Sequence, residues 1–259
     1  MNIYLAVVSH GHDTIINNIG CLKLLANHFN VVIKSNKPGD NLTDITQKCN
    51  VHWIDDFYGV GFGENNNYIY NYCVNRLDMK DEDFFIVLNP DVKIDEDAIL
   101  KLINIMESEV INLASINLYK NESKTEYDNS IRYFPTAINF TKSFLGLGNE
   151  SIIDKSSLNG SLDVDWAAGS FLAFRSKHYK KLCGFDENYF MYCEDIDICF
   201  RSAMLNSKVR YIHEIEAIHF AQHNNRKLLS KHFVWHIRSA VRFLFSKRQL
   251  TTLKTSLHR

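Results

Sequence analysis

A carboxylate follows directly after a fully apolar run of the chain. Phe84–Leu88 is apolar throughout, and the next residues are Asn89-Pro90-Asp91. A carboxylate fixed by a proline turn at the end of a buried strand is well placed to bind a hard divalent cation through oxygen. A cation that bridges two phosphates offsets the charge that develops on a nucleoside diphosphate as it leaves. Asn, Pro and Asp are also common turn residues, so a plain strand-ending turn is the alternative.

A second group of carboxylates lies among aromatic residues, ahead of an apolar helical pattern. The segment runs Gly184-Phe185-Asp186-Glu187-Asn188-Tyr189-Phe190-Met191-Tyr192-Cys193-Glu194-Asp195-Ile196-Asp197. Acidic residues in the first turn of a helix can simply complement its dipole, which explains one or two of them. Compensation of the helix dipole does not explain the preceding aromatic residues. Aromatic side chains beside carboxylates are typical of a sugar-binding wall with a general base at its edge.

A glycine-rich loop and two histidines complete the polar candidates. Gly59–Asn67 leads into a helical pattern, and its glycines would let the backbone approach an anion at the helix N-terminus. Its spacing matches neither a Walker A loop nor a dinucleotide-binding motif, so a plain loop is the alternative. His219 and His223 could each supply a nitrogen ligand, although a lone histidine is more often a core residue.

Alternating strand and helix patterns must position these residues. The predicted strands are Ile3–Val8, Val31–Ile33, His52–Ile54, Phe84–Leu88 and Val209–Ile212, with regular structure also across Asp163–Arg175. The predicted helices are Thr14–Phe29, Glu64–Leu77, Asp95–Glu109 and Glu194–Leu205. This alternation predicts an α/β fold with a mostly parallel sheet covered on both faces. Ligands of such sheets bind at the carboxyl ends of the strands, where Ser9-His10-Gly11, Ser35-Asn36 and Asn89-Pro90-Asp91 lie. The polar residues 120–163 predict a long irregular loop.

Length and composition exclude several classes of protein. The chain has 259 residues, of which 46% are hydrophobic and 23% charged, so it can bury a large core and is neither disordered nor fibrous. No apolar run reaches the roughly 18 residues that a membrane span needs, and the N-terminal residues do not resemble a signal peptide. The six cysteines contain no C-x-x-C pair, and we expect them to be reduced thiols in a cytosolic protein.

The net charge of −1 conceals an uneven distribution. All 30 acidic residues lie within 1–216, whereas nine basic residues follow that segment. On a helical wheel one face carries Leu229, Phe233, Ile237, Ala240, Val241 and Leu244, with Lys231, Arg238 and Arg242 beside it. This pattern predicts an amphipathic helix on an anionic membrane surface. The alternative is a helix packed on its own core or on a second subunit, as in a homodimer. Nucleic acid is not an expected partner, because tracking phosphates needs no apolar face.

Taken in order, these motifs resemble a family-2 glycosyltransferase of the GT-A fold. The matching segments are Val7–Gly11, Gly61–Asn67, Asn89–Asp91, Trp166–Ser170, Phe185–Glu187, Tyr192–Asp197 and His219. The resemblance covers about residues 3–225, and within the family it is to bacterial O-antigen rhamnosyltransferases. These move L-rhamnose from dTDP-rhamnose to N-acetylglucosamine on a polyprenyl diphosphate. It implies a glycosyltransferase domain over 1–225, followed by a basic amphipathic helical extension over 226–259.

The resemblance also implies roles for individual residues. Asp91 and His219 would hold a divalent metal, Mg or Mn, on the nucleotide diphosphate, and Asp195 would be the catalytic base of an inverting transfer. The implied donor-binding residues are Ser9, His10, Gly11, Ser35, Asn36, Gly61, Gly63, Asn67, Asn89 and Asp91. The implied acceptor-binding residues are Trp166, Ala168, Gly169, Ser170 and Glu194. The implied location is the cytoplasmic face of the inner membrane, as a peripheral protein of lipopolysaccharide biosynthesis.

Two positions depart from the family pattern. Asn89 stands where many members have the first Asp of the metal-binding motif, and Ser35 stands where many have an Asp that reads the pyrimidine base. Another donor, such as a galactofuranose or hexose nucleotide, is therefore an alternative. A non-catalytic membrane-associated scaffold is a second alternative, and the presence of both Asp91 and Asp195 argues against it.

Overall fold

The computed structural model describes residues 1–47, 50–148, 150–221 and 231–257. The strands are β1 Ile3–Ser9, β2 Asn30–Ser35, β3 Val51–Ile54, β4 Phe84–Leu88, β5 Val92–Lys93, β6 Leu113–Tyr119, β7 Ile131–Arg132, β8 Leu162–Val164, β9 Trp166–Ala167, β10 Phe171–Arg175 and β11 Val209–His219. The helices are α1 Asp13–Ile19, α2 Cys21–Leu25, α3 Thr43–Thr46, α4 Phe62–Arg76, α5 Glu96–Ser108, α6 Ala137–Phe144, α7 Ser176–Lys181, α8 Glu194–Met204 and α9 Lys231–Ser246, with a short 3₁₀ turn at Lys155–Ser157.

A central sheet runs in the order β3-β2-β1-β4-β10-β6-β11-β5, and β8 pairs with β11. β1 is parallel to β2 and β4, β2 to β3, and β6 to β11. β10 lies antiparallel between β4 and β6, and β5 and β8 are antiparallel to β11. The predicted α/β fold with a mostly parallel sheet is confirmed. β7 and β9 form a separate two-stranded sheet.

Apolar side chains pack on both faces of this sheet. Phe84, Ile86 and Leu88 of β4 belong to one buried cluster, whereas Phe85 and Val87 belong to the other. Successive strand residues point to opposite faces, which is why a strand covered on both sides is apolar throughout. α1, α2 and α5 cover the first face, and α4, α7, α8 and α9 cover the second.

Strand register brings the predicted ligand-binding ends together. Ser9 pairs with Ser35 across β1 and β2, and Val7 pairs with Leu88 across β1 and β4. The residues after β4 therefore lie beside the ends of β1 and β2. This is the edge at which open α/β sheets bind ligands.

Three local predictions were wrong. The helix expected over Thr14–Phe29 is broken at Gly20, whose φ of 66° lies in the left-handed region that glycine favours. The loop expected over 120–163 contains β7, α6, the 3₁₀ turn and the start of β8. A capping box begins α6, where Asn139 N–H donates to the Thr136 hydroxyl and Thr136 N–H donates to the Asn139 side chain. β11 extends beyond Ile212, across a register shift, and ends at His219.

The C-terminal helix packs on the core through a face that includes Ala240 of the predicted apolar face but is centred on Phe243, which that face did not include. Ser239, Ala240 and Phe243 of α9 are buried, whereas Ile237 and Val241 of the predicted apolar face are exposed. The Phe243 ring lies 6.0 Å from that of Phe200 on α8. Leu229 and the predicted boundary at 225/226 lie outside the described residues. Within those residues, no helix has both the length and the apolar character that crossing a membrane requires.

Candidate active site

Two carboxylates begin α8. Glu194 and Asp195 follow Tyr192 and Cys193, whose φ angles of 69° and 64° place two consecutive non-glycine residues in the left-handed region. This conformation is unfavourable for L-residues and persists only where surrounding packing holds it, often at functional sites. The resulting sharp turn starts the helix at the edge of a cleft.

The Asp195 carboxylate accepts two backbone hydrogen bonds. Gly169 N–H donates to Oδ2 at 3.2 Å, and Ile196 N–H donates to Oδ1 at 2.8 Å. Burial raises the pKa of Asp195, while these two N–H groups and the positive charge of Arg132 oppose that rise. The ionised form of Asp195 therefore has stabilising partners before any substrate binds.

Glu194 has a different environment. It is buried, and its Oε2 atom has no hydrogen-bond partner among the described residues. Burial and then the neighbouring Asp195 charge raise the pKa of Glu194. Burial and the Asp195 charge therefore favour the neutral form of Glu194, and Asp195, which accepts two backbone hydrogen bonds, is the better candidate for a base.

A histidine at the end of β11 lies between two carboxylates. His219 Nε2 is 3.3 Å from Asp91 Oδ1, and His219 Nδ1 is 2.5 Å from Asp128 Oδ2. Burial alone would lower the pKa of His219, but hydrogen bonds to Asp128 and Asp91 and their charges outweigh burial and raise it to about 9. The structure thus joins Asp91 and His219, the two predicted metal ligands. Asp128 was missed, because a single Asp in a polar segment has no distinguishing pattern.

Asp91 and His219 are the residues that could hold a divalent cation. A carboxylate that orients the far nitrogen of a histidine ligand, as Asp128 does here, is a common feature of metal sites. No cluster of three or more His, Cys, Asp or Glu side chains arranged for a metal occurs in the described part of the chain. Asp91 and His219 would fill only two positions around such a cation, and the oxygens of a bound diphosphate are of the type that could fill others.

Asp128, Glu194, Asp195 and His219 border one cleft of about 440 Å³, whereas Asp91 contacts His219 but does not line the cleft. Among the predicted site residues, the cleft is lined by Asn89, Trp166, Ala168, Gly169, Ser170, Glu194, Asp195 and His219. It is also lined by residues that the sequence did not indicate, among them Asp128, Arg132, Tyr192 and His236. The Arg132 guanidinium lies 5.3 Å from the centre of the Trp166 ring, as in a cation–π contact.

Five of the other predicted donor residues lie at the ends of β1 and β2, outside the lining of this cleft: Ser9, His10, Gly11, Ser35 and Asn36. Asn36 N–H donates to the Ser9 carbonyl at 2.6 Å, and His12 N–H donates to the Ser9 hydroxyl at 3.0 Å. His10 and Gly11 form the exposed turn after Ser9.

Ser35 is held by buried polar contacts. Its hydroxyl donates to Asp40 Oδ2 at 2.6 Å and accepts a hydrogen bond from Trp53 Nε1 at 2.9 Å. Asp40 Oδ1 is buried without a partner among the described residues. A carboxylate therefore lies directly beside the position at which Ser35 departs from the family pattern.

Gly61, Gly63 and Asn67 pack α4 against residues 185–190. A Cβ atom at Gly61 would lie 2.7 Å from the Phe190 carbonyl oxygen, and one at Gly63 would lie 2.6 Å from Phe185 Cβ. Asn67 is fully buried, and its side chain forms hydrogen bonds with Tyr179, with the Phe185 backbone and with Glu187. Packing accounts for these residue types, and the donor-binding role predicted for them stays a prediction. His223 lies outside the described residues.

Comparison with known proteins identifies the family. No family model matches the chain. The rhamnosyltransferase WbbL of Escherichia coli (strain K12) is 37% identical over 257 residues, which cover 96% of this chain and 95% of that protein. The chain belongs to this glycosyltransferase family. The N-acetylglucosaminyl-diphospho-decaprenol L-rhamnosyltransferase of Mycobacterium tuberculosis (strain CDC 1551 / Oshkosh) is 33% identical over 81 residues, covering 31% of this chain and 26% of that protein.

Solved structures agree with this glycosyltransferase fold. A mycobacterial protein superimposes with a TM-score of 0.60 at 11% identity, over 97% of this chain and 76% of that one. Staphylococcus aureus TarS superimposes with a TM-score of 0.56 at 12% identity, over 85% of this chain and 37% of that one. The expected GT-A fold and the expected enzyme class of this glycosyltransferase are confirmed.

Proposed function

We propose that this glycosyltransferase transfers L-rhamnose from dTDP-rhamnose to N-acetylglucosamine on a polyprenyl diphosphate, with inversion at the transferred carbon. The names of two relatives support the sugar and the acceptor, since one is a rhamnosyltransferase and the other acts on N-acetylglucosaminyl-diphospho-decaprenol. The observation that carries the proposal is that Asp195 and His219 border the same cleft. A base and a diphosphate-binding group on one cleft are what a direct displacement needs.

In this reaction Asp195 takes the proton from an acceptor hydroxyl as its oxygen attacks the anomeric carbon of the donor. The new C–O bond forms on the face opposite the diphosphate, and the bond from the anomeric carbon to the dTDP oxygen breaks with its electron pair. One base suffices, and no covalent enzyme intermediate forms. General-base assistance of this kind is worth about 10²–10⁴-fold in rate. A Mg or Mn ion held by Asp91 and His219 would offset the charge on the departing dTDP.

The other cleft residues bind and orient. Trp166 and the Ala168–Ser170 turn form the acceptor wall, and the Ser170 hydroxyl is buried without a partner among the described residues. A neutral Glu194 can donate a hydrogen bond to a sugar oxygen. Its neutrality also keeps a second negative charge away from Asp195.

The site of action follows from the acceptor. We place the enzyme as a peripheral protein at the cytoplasmic face of the inner membrane, in O-antigen synthesis, where a polyprenyl-linked acceptor is held. The basic C-terminal residues provide the charge for contact with anionic lipid.

A donor panel tests this function. The full chain is incubated with dTDP-rhamnose, a galactofuranose nucleotide and hexose nucleotides, with and without a chelator and N-acetylglucosaminyl-diphosphoryl lipid. We expect metal-dependent dTDP release only with dTDP-rhamnose and acceptor together, and a product whose anomeric configuration by NMR is opposite to that of the donor. Turnover with a hexose nucleotide but not dTDP-rhamnose would contradict the assigned donor, and retained configuration would contradict the displacement.

A further inference from the structure

The outer side of α9 carries a stripe of exposed apolar residues. Val234, Ile237, Val241 and Phe245 are 61%, 38%, 47% and 46% exposed. Their spacing of three, four and four residues places them on one side of the helix. The opposite side already packs on the core through Phe243. The stripe is therefore additional to the face that folding requires.

The neighbouring helix α6 extends this apolar surface. Phe144 at its end packs against Phe233 and His236 of α9, at ring distances of 5.8 and 5.0 Å. The next residues of the chain include Leu145 and Leu147, both largely exposed. Between the two helices is a groove of about 450 Å³, lined by Thr136, Ala137, Val241, Leu244, Phe245, Lys247 and Arg248. We call the stripe, the groove and the two leucines the α6–α9 surface.

The charged residues of α9 and the segment after it are all basic, whereas Lys142 of α6 forms an ion pair with the exposed Glu150. Residues 231–257 contain no Asp or Glu. Arg242 is bonded to the buried Asp186. Within the described residues, no ion pair involves the other cations of this segment, which are Lys231, Arg238, Lys247, Arg248 and Lys254. An apolar stripe on a helix that itself carries cations and no acidic residue matches the headgroup boundary of an anionic bilayer.

We propose that the α6–α9 surface docks on an anionic lipid bilayer. The proposal rests on the proposed function, since the acceptor there is lipid-linked. The stripe and the two leucines enter the boundary between headgroups and acyl chains, and the cations contact lipid phosphates. A second copy of the chain fits this surface less well, because a two-fold contact between α9 helices would bring their cations against each other.

This docking would place the cleft beside the membrane. α6 and α9 also line the cleft, through Asn139, Phe140, Ser143 and His236. The same two helices thus contact lipid on one side and the acceptor sugar on the other. The sugar can enter the cleft and approach Asp195 while its polyprenyl chain stays in the bilayer.

Vesicle flotation tests the surface. The full chain is mixed with phosphatidylglycerol/phosphatidylethanolamine vesicles or with phosphatidylcholine vesicles, at low and high salt. The double variant Val241→Glu/Phe245→Glu removes apolar area and adds negative charge. Val74→Glu is the matched control, because Val74 is 39% exposed on α4, away from this surface. Thermal melting of each variant confirms folding.

We expect the wild type and Val74→Glu to float with phosphatidylglycerol vesicles, less so at high salt, and scarcely with phosphatidylcholine. The double variant should lose at least about tenfold in partitioning, as expected for two apolar side chains withheld from the interface. Flotation of the double variant at the wild-type level would overturn the proposal. The proposal would also be overturned if the wild type did not float. It would be overturned as well if sedimentation showed a wild-type dimer that the double variant abolished.

Turnover separates this inference from the proposed function. With a short-chain, water-soluble acceptor the double variant should match the wild type, whereas with a long-chain acceptor in vesicles its rate should fall about tenfold or more. Equal rates in vesicles would overturn the docking surface alone. Lack of wild-type turnover on the soluble acceptor would contradict the proposed function, whatever the flotation result.

Discussion

Asp195 and Gly169 are joined by a hydrogen bond of 3.2 Å from the Gly169 N–H to Asp195 Oδ2. This contact connects the start of α8 to the turn between β9 and β10, so the proposed base and the proposed acceptor wall are held in one arrangement. A Cβ atom at Gly169 would lie 3.0 Å from Phe62 Cε1, so the Phe62 ring would have to shift to admit a side chain there. The carboxylate is thus oriented before the acceptor arrives, which lowers the entropic cost of reaching the reactive geometry.

Asp195→Asn should retain donor affinity and lose turnover by about 10²–10⁴-fold. The substitution preserves size and removes the charged proton acceptor. Calorimetry with dTDP measures binding, and dTDP release measures turnover.

The matched control for this variant is Glu194→Gln, which keeps the neutral state that burial favours in Glu194. We expect a smaller loss than in Asp195→Asn. A fully active Asp195→Asn beside an inactive Glu194→Gln would move the base to Glu194.

Asp128→Asn should weaken metal-dependent dTDP binding by about 10–100-fold, the usual cost of losing the carboxylate that orients a histidine ligand. The reason is geometric, because Asp128 lies 2.5 Å from His219 Nδ1 and fixes the ring whose Nε2 faces Asp91. Titration of dTDP in the presence of Mn, and again with chelator, isolates the metal-dependent part.

Glu126→Gln is the control for Asp128→Asn, since Glu126 is an exposed carboxylate of the same segment that pairs with Lys120. Asp91→Ala should abolish metal-dependent binding altogether. If Asp91→Ala does so while Asp128→Asn leaves the affinity unchanged, Asp128 does not position His219.

Much of this architecture could be predicted because its determinants are local. The apolar run Phe84–Leu88 predicted β4, and the alternation of strands and helices predicted the parallel sheet edge at which Ser9, Ser35 and Asn89 meet. The acceptor-wall residues and the Glu194-Asp195 pair, identified by resemblance, do line one cleft.

The missed features depend on contacts between residues distant in sequence. Asp128 and Arg132 lie in a polar segment, and only the folded chain brings them to His219 and Trp166. The sequence pattern does not distinguish Phe243 from the other apolar residues of α9 as the residue that packs on the core. Only the folded structure shows its ring against that of Phe200. Apolar residues on both sides of a helix leave the buried side undetermined by sequence alone.

Asn67→Ala should destabilise the fold by about 2–4 kcal/mol. The change leaves the buried Tyr179 hydroxyl, the Phe185 backbone groups and the Glu187 carboxylate without the partner that Asn67 provides. Urea unfolding measures the loss, and Asn75→Ala at an exposed position of α4 is the control. A stable Asn67→Ala protein with weakened dTDP affinity would instead support the donor-binding role predicted for Asn67.

Arg242→Met tests whether this arginine stabilises the fold or contacts lipid. Arg242 Nη2 donates to Asp186 Oδ2 at 2.6 Å and to the Thr252 carbonyl at 2.8 Å, and the Asp186 side chain is only 3% exposed. Methionine keeps the apolar stem of the arginine and removes its charge. The buried Asp186 carboxylate then has no neighbouring cation. Breaking a buried pair on one side typically costs roughly 3–5 kcal/mol, and we expect about 2–4 kcal/mol here because Arg242 is partly exposed.

Urea unfolding of Arg242→Met and Arg238→Met distinguishes the two roles. Arg238 is exposed on the same helix and forms no ion pair within the described residues, so Arg238→Met should change stability by less than about 0.5 kcal/mol. Because its charge lies beside the outer stripe, Arg238→Met should reduce flotation with phosphatidylglycerol vesicles, whereas folded Arg242→Met should float like the wild type. If Arg242→Met were as stable as the wild type and failed to float, Arg242 would belong to the lipid-facing charges that the sequence pattern first indicated.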